Sequence, residues 1–170
     1  MILPNCVQRL PNGHTFVTCR NQLVELDAQQ REVWNYPRAQ HDIVAAQRLR
    51  NGDTVFTTTA GACVRLDTRK TEVKTFQTPR TAYTYGGLDV LGNGRVLITQ
   101  RSGVAEFEPN GNQVWQAAFN QPVSVQRLPN GNTLVAGSGA ATVVELDRNG
   151  QPVWDYKAPD GFVPWRAHRR

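Results

Sequence analysis

The sequence predicts an all-β protein built from four repeated sheets, and three observations predict it. The pair Asn-Gly recurs as Asn12-Gly13, Asn51-Gly52, Asn93-Gly94 and Asn130-Gly131, each shortly after Leu10, Leu49, Leu91 or Leu128. A second marker follows in each copy: VELD at Val24–Asp27, VRLD at Val64–Asp67, AEFE at Ala105–Glu108 and VELD at Val144–Asp147. Beyond the closing acid, at a constant spacing, stand Trp34, Lys74, Trp115 and Trp154. All three markers share a period of about 40 residues, so the repeating unit is a structural module and not merely the reused heptapeptide VQRLPNG.

Each module reads as four short strands. In the first they fall at Val7–Leu10, Thr15–Thr18, Gln22–Asp27 and Glu32–Tyr36. The Asn-Gly pair between two β-rich segments is a hairpin signal, because a type I′ turn needs positive φ at both central residues. The acid, a turn and the valine-aromatic segment form a second hairpin. No stretch carries the 3.6-residue apolar period of a helix. One four-stranded sheet of this size cannot hide both faces, so it must stack on copies of itself, and radial stacking of such sheets is the β-propeller. The expectation is four four-stranded antiparallel blades at residues 5–38, 43–77, 86–119 and 122–157, with a tail at 158–170, in a single domain spanning 1–170. Leu10, Leu49, Leu91 and Leu128 should be buried equivalents.

Composition narrows the function classes. The chain has 170 residues, 39% hydrophobic and 19% charged, with 14 glycines, which suits a domain that buries a core. No apolar run is long enough to span a bilayer, and the start MILPNCVQRL lacks the basic and apolar regions of a signal peptide. The default expectation is therefore a cytoplasmic protein without a membrane partner, unless the chain is excised from a secreted one. Its net charge of +5 comes from scattered arginines and a terminal RAHRR, which argues against nucleic acid as a partner. Cys6, Cys19 and Cys63 have neither metal-ligand spacing nor an even count, and read as mostly buried free thiols, with a disulfide as the alternative.

The run of leucine, Asn-Gly, NTLV, VVELD, a glycine turn and VW resembles the blades of quinoprotein-like and arylsulfotransferase-like propellers, over Val7 to Tyr156. WD-repeat propellers are less similar: Trp154-Asp155 matches, whereas Trp34-Asn35, Lys74-Thr75 and Trp115-Gln116 do not. The tryptophans read as outer-strand packing between blades. The quinoprotein resemblance would imply calcium ligands and an aspartate base, and neither can be placed, so neither a quinone cofactor nor a metal is expected. The arylsulfotransferase resemblance implies a histidine at a blade start, which His41 supplies; a sulfuryl-transferring enzyme would use it as nucleophile.

In a propeller, the turns within the first and second pairs of strands share one end, and the remaining loops share the other. The loop end varies here, through Pro37–Asp42, Thr78–Gly87, Phe119–Pro122 and Ala158–His168, and variable loops on a rigid scaffold carry recognition. Candidate ligand-binding residues there are His41, Asp42, Arg80, Tyr83, Tyr85, Arg101, Trp165, Arg166 and His168, an aromatic and cationic set suited to a small anionic or sugar-like ligand or a peptide. At the regular end Arg9, Arg48 and Arg127 occupy equivalent positions, with Val90 in the third module, and could attract an anion at the channel mouth. The alternative for them is local pairing with Asp27, Asp67 and Asp147. His14, in a hairpin, reads as solvated.

The function expected is that of a non-enzymatic binding or assembly module with its ligand at the variable-loop end. The alternative is an arylsulfotransferase-like or other propeller enzyme using His41. Phe162, Val163 and Trp165 are too apolar to be left in water and read as the lead-in to a fifth blade. Self-association is the expected partnership, a homodimer of two four-blade arcs making an eight-bladed ring; a closed four-blade ring and further blades in a longer chain are the alternatives.

Overall fold

A computed structural model describes residues 4–80, 85–139 and 141–169, and none of these is helical. Four four-stranded antiparallel sheets follow one another along the chain, each with its strands in sequence order. The first blade is β1 (Pro4–Arg9), β2 (Thr15–Cys19), β3 (Gln22–Leu26) and β4 (Glu32–Pro37). The second is β5 (Ile43–Arg48), β6 (Thr54–Thr58), β7 (Ala62–Leu66) and β8 (Glu72–Gln77). The third is β9 (Leu88–Val90), β10 (Val96–Gln100), β11 (Gly103–Phe107) and β12 (Gln113–Ala118), and the fourth β13 (Pro122–Arg127), β14 (Thr133–Gly137), β15 (Thr142–Leu146) and β16 (Pro152–Lys157).

The blades group into two compact units, one holding the described residues up to Pro79 together with Tyr85, the other Arg80 and the described residues from Gly86 onward. In the first unit β5 packs against β1 and β2. That contact joins Leu10, Phe16 and Leu23 of one blade to Ile43, Phe56, Val64 and Leu66 of the next in one apolar cluster, with Trp34 and Tyr36 at its margin. In the second unit β13 packs against β9, β10 and β11. Leu97, Val104 and Ala117 there meet Val125, Val135 and Leu146. β6, β11 and β14 are buried along their whole length, because both faces of a stacked sheet are covered there, and the fourth strands are largely exposed.

The Asn-Gly turn is not type I′. Only its glycine lies in the left-handed region, at φ +82° in Gly13 and +87° in Gly131. Leu10 C=O accepts from Gly13 N–H at 3.0 Å, and Leu10 N–H donates to His14 C=O at 2.9 Å. That is a type I turn closed by a left-handed residue, the three-residue hairpin with a bulge. The asparagine is selected by its side chain: Asn12 Oδ1 accepts from His14 N–H at 3.0 Å, and Asn51, Asn93 and Asn130 repeat the bond. Turn chemistry sets the backbone alone, so side-chain burial at its first residue varies. Leu10 and Leu128 are buried, whereas Leu49 and Leu91 are only half-buried.

The turn between third and fourth strands has the same form. Asp27 C=O accepts from Gln30 N–H at 3.0 Å, and Asp27 N–H donates to Arg31 C=O at 2.9 Å. Asp27 Oδ1 receives Gln29 N–H and Arg31 N–H, and Asp67 and Asp147 do the same in their own turns. The left-handed position is glycine in the last two blades, Gly111 and Gly150, but Gln30 at +63° and Lys70 at +69° in the first two. A side chain there costs about 1–2 kcal/mol. Gln30→Gly or Lys70→Gly should therefore raise stability by about 0.5–1 kcal/mol each after the entropy of glycine is subtracted. Thermal melts that move down rather than up by a few degrees would refute this.

Candidate functional site

The first-strand arginines form a recurring contact between blades. Arg48 Nε lies 3.1 Å from Glu25 Oε2, and its guanidinium sits 4.4 Å over the Trp34 ring. Its Nη1 also donates to Thr54 Oγ1 at 2.8 Å. In the second unit Arg127 Nη2 lies 2.5 Å from Glu106 Oε2, its guanidinium is 4.9 Å over Trp115, and Nη1 donates to Thr133 Oγ1 at 2.7 Å. The strand backbone is held as well. Gln8 Oε1 accepts from Arg48 N–H and Gln8 Nε2 donates to Arg48 C=O, both at 2.9 Å. Asp89 Oδ2 accepts from Arg127 N–H at 2.7 Å.

These arginines pair with glutamates on the blade face, not with Asp27, Asp67 and Asp147, whose carboxylates cap their own turns. Glu25 is directly opposite Trp34 in the β3–β4 ladder, and Glu106 opposite Trp115 in β11–β12, so acid and ring lie on the face that meets the next blade. His14 is not simply solvated: its Nδ1 is 2.8 Å from Glu25 Oε1. The same cross-strand position carries Asp53, Arg95 and Asn132, bonded respectively to Arg65, Glu106 and Glu145. Blade two thus reverses the polarity, with Arg65 and Lys74 where the others have glutamate and tryptophan, and the module after it replaces the arginine with Val90. The three departures occur together.

The loop-end candidates are distributed over both units. Asp42 is bound bidentately by Arg38, at 2.5 and 3.1 Å, and Arg38 in turn lies 5.3 Å over Phe56. This fork closes the loop into β5. His41, beside it, is exposed at φ +52°, a conformation histidine tolerates better than most side chains. Arg80 and Arg101 are exposed, and Tyr85 is half-buried. Trp165, Arg166 and His168 are exposed along the tail. Tyr83 lies outside the described residues. Of the regular-end arginines, Arg9 is exposed and donates to Thr15 Oγ1 at 3.0 Å.

The sequence profile described as outer membrane protein assembly factor BamB matches residues 100–165. A protein of unknown function from Bacteroides caccae superposes with a TM-score of 0.74 at 20% identity, over 92% of this chain and 61% of that one. Catalytically inactive H270A virginiamycin B lyase from Staphylococcus aureus, with quinupristin, gives 0.72 at 12% identity, over 94% and 57%. BBS1N in complex with ARL6DN gives 0.63 at 16%, over 92% and 52%. The likeness is to the blades of β-propellers. At such identities the likeness to the solved structures is one of fold, and the chain spans only 61%, 57% and 52% of their lengths. No curated protein matches the sequence significantly.

Asp89 is among the residues that the sequence pattern did not single out. Gln8, Gln47 and Gln126 mark equivalent first-strand positions, and the third blade has Asp89 there. The single departure in a repeat was the available signal. Burial pushes the Asp89 carboxyl above its ordinary range, against the Arg127 N–H bond and the charges of Arg127 and His168. A raised folded-state value means that the protonated form is favoured on folding, so the contribution to stability is present at low pH and lost as pH rises through the folded value. Asp89→Asn keeps an acceptor for Arg127 N–H and removes that loss. Its stability relative to the parent should therefore improve as the pH rises above the ordinary aspartate value of about 4; a difference that stays constant as the pH rises would contradict it.

Cys63 is buried, and burial raises its thiol to about 12. Cys19 is buried and raised for the same reason. Neither is poised as a nucleophile.

Proposed function

We propose that this chain is a non-enzymatic propeller module for binding or assembly, with a protein or small anionic ligand at its variable-loop end and with self-association as a homodimer. The observation that carries this reading is where the reactive side chains are engaged. Arg48, Arg127 and Asp42 are each held in an ion pair by the scaffold, and the loop end presents exposed cationic and aromatic side chains. Such a set suits an anion or a planar group. Two likenesses support a role with partners: the matching profile is named for an assembly factor, and BBS1N was crystallised in complex with ARL6DN.

The test is a comparison of binding and turnover. The protein is titrated with sulfated and carboxylated sugars and with aryl sulfates in the presence of a phenol acceptor. Saturable binding weakened by Arg101→Ala or Arg166→Ala, without turnover, is the expected result. Sulfuryl transfer abolished by His41→Ala, with the melting temperature unchanged, would overturn the reading in favour of an enzyme.

A further inference from the structure

Contact between neighbouring blades within a unit has two halves. The receiving half is a Gln or Asp on the first strand, a glutamate on the third and a tryptophan on the fourth. The entering half is the arginine ending the next first strand, braced by its own threonine hydroxyl. Gln8, Glu25 and Trp34 receive Arg48; Asp89, Glu106 and Trp115 receive Arg127. The fourth blade carries a third receiving half in Gln126, Glu145 and Trp154, with Glu145 directly opposite Trp154. The first blade carries a third entering half in Arg9 and Thr15, paired at the end of the β1–β2 ladder as Arg48 is with Thr54 and Arg127 with Thr133.

What occupies the fourth blade is the tail. Pro164–Arg169 repeats the spacing of Pro4–Arg9 and Pro122–Arg127, proline first and arginine sixth. Its arginine takes the corresponding seat: Arg169 N–H donates to Gln126 Oε1 at 3.0 Å, Gln126 Nε2 donates to Arg169 C=O at 3.1 Å, and Arg169 Nη1 lies 2.6 Å from Glu145 Oε2. The seat is only partly filled. The tail is in none of the sheets among the described residues, and Trp154 and Tyr156 remain 50% exposed. A whole blade in the same place brings an apolar face, as Ile43, Phe56, Val64 and Leu66 do in the first unit.

We infer that the entering edge of the first blade and the receiving edge of the fourth are the two halves of a head-to-tail interface between copies of this chain, and that the tail is an internal stand-in for β1 which a second copy displaces. The inference deepens the assembly reading above and rests on it. The occupant is a second copy because the chain itself presents both complementary halves: a cation that, among the described residues, lacks the acid its two equivalents have, and a glutamate–tryptophan pair shaped to receive it. The tether places the tail at an effective concentration on the order of mM, so it competes strongly and makes assembly concentration-dependent.

Sedimentation velocity on the full chain and four variants, Arg9→Glu alone among them, across a wide concentration range, tests this. Arg169→Glu repels Glu145 and releases the tail, and should strengthen self-association by about tenfold or more. Adding Arg9→Glu should weaken it by at least about tenfold. Combining Arg9→Glu with Glu145→Arg restores opposite charges across the interface and should recover association relative to Arg9→Glu. Arg9 is exposed, so its reversal leaves the core intact, and circular dichroism verifies that each variant is folded. An Arg169→Glu protein that stays monomeric throughout overturns the inference. Association indifferent to Arg9→Glu overturns the assigned interface while leaving the assembly reading standing. The ligand titration judges the module reading separately.

Discussion

Phe56→Ala is expected to destabilise the first unit by about 3–5 kcal/mol, the cost of removing a fully buried aromatic side chain and leaving a cavity. Phe56 is 0% exposed. Its ring is 5.8 Å from Tyr36 and lies beneath the Arg38 guanidinium that closes the loop before β5, so truncation loosens the core and the Arg38–Asp42 fork together. Phe56→Leu should cost less, because most of the volume remains. Urea denaturation followed by tryptophan fluorescence is the measurement, with Trp34 reporting on the first unit and Trp115 on the second. An early loss of the Trp34 signal locates the damage. A Phe56→Ala midpoint equal to that of the parent would mean that this side chain does not organise the cluster.

Glu106→Ala should cost about 3–5 kcal/mol, because it leaves a partly buried arginine without its acid. The Arg127 side chain is 15% exposed and that of Glu106 9%, and Arg95 also reaches Glu106, at 3.3 Å. Two cations would then face each other across an empty site. Glu106→Gln should retain part of the hydrogen bonding and cost less. Exchanging Arg95 for alanine alone is expected to be mild, since its side chain is 37% exposed and its bond to Glu108 is on the surface. Near-neutral Glu106→Ala would show that stacking on Trp115, rather than charge, holds β13 in place.

The legible parts of this molecule were those encoded within a few residues. The Asn-Gly positions correctly placed the β1–β2, β5–β6, β9–β10 and β13–β14 turns, yet the turn type was misread, because the pair alone does not reveal whether asparagine is left-handed. The hydrogen bond from His14 N–H to Asn12 Oδ1 accounts for the choice. Strand ends were also local: β2 begins at Thr15 and β4 at Glu32 as the pattern requires, while β1 extends back to Pro4, since its register depends on a neighbouring strand with a bulge between Pro4 and Cys6.

The partners of Arg48 and Arg127 lay beyond such reasoning. Asp27 and Glu25 both point to the same side by strand alternation, and Asp27 ends the motif, so an aspartate pairing was the natural expectation. The β3–β4 turn decided otherwise by engaging Asp27 with two backbone N–H groups. Asp89 and Arg169 were hidden for a related reason: their significance arises only when repeats separated by about 40 residues are laid on one another in space.

By itself the sequence determined that the chain is all-β, that it has four blades and where each hairpin turns, because periodic glycine, asparagine and alternating apolar residues restrict backbone angles locally. Tertiary structure alone decided which carboxylate receives each arginine, that His14 belongs to the Glu25 pair, and that Arg169 sits on the fourth blade as Arg48 sits on the first. Those contacts join residues far apart in the chain, and a strand register shifted by a single residue would send every one of the side chains to the opposite face.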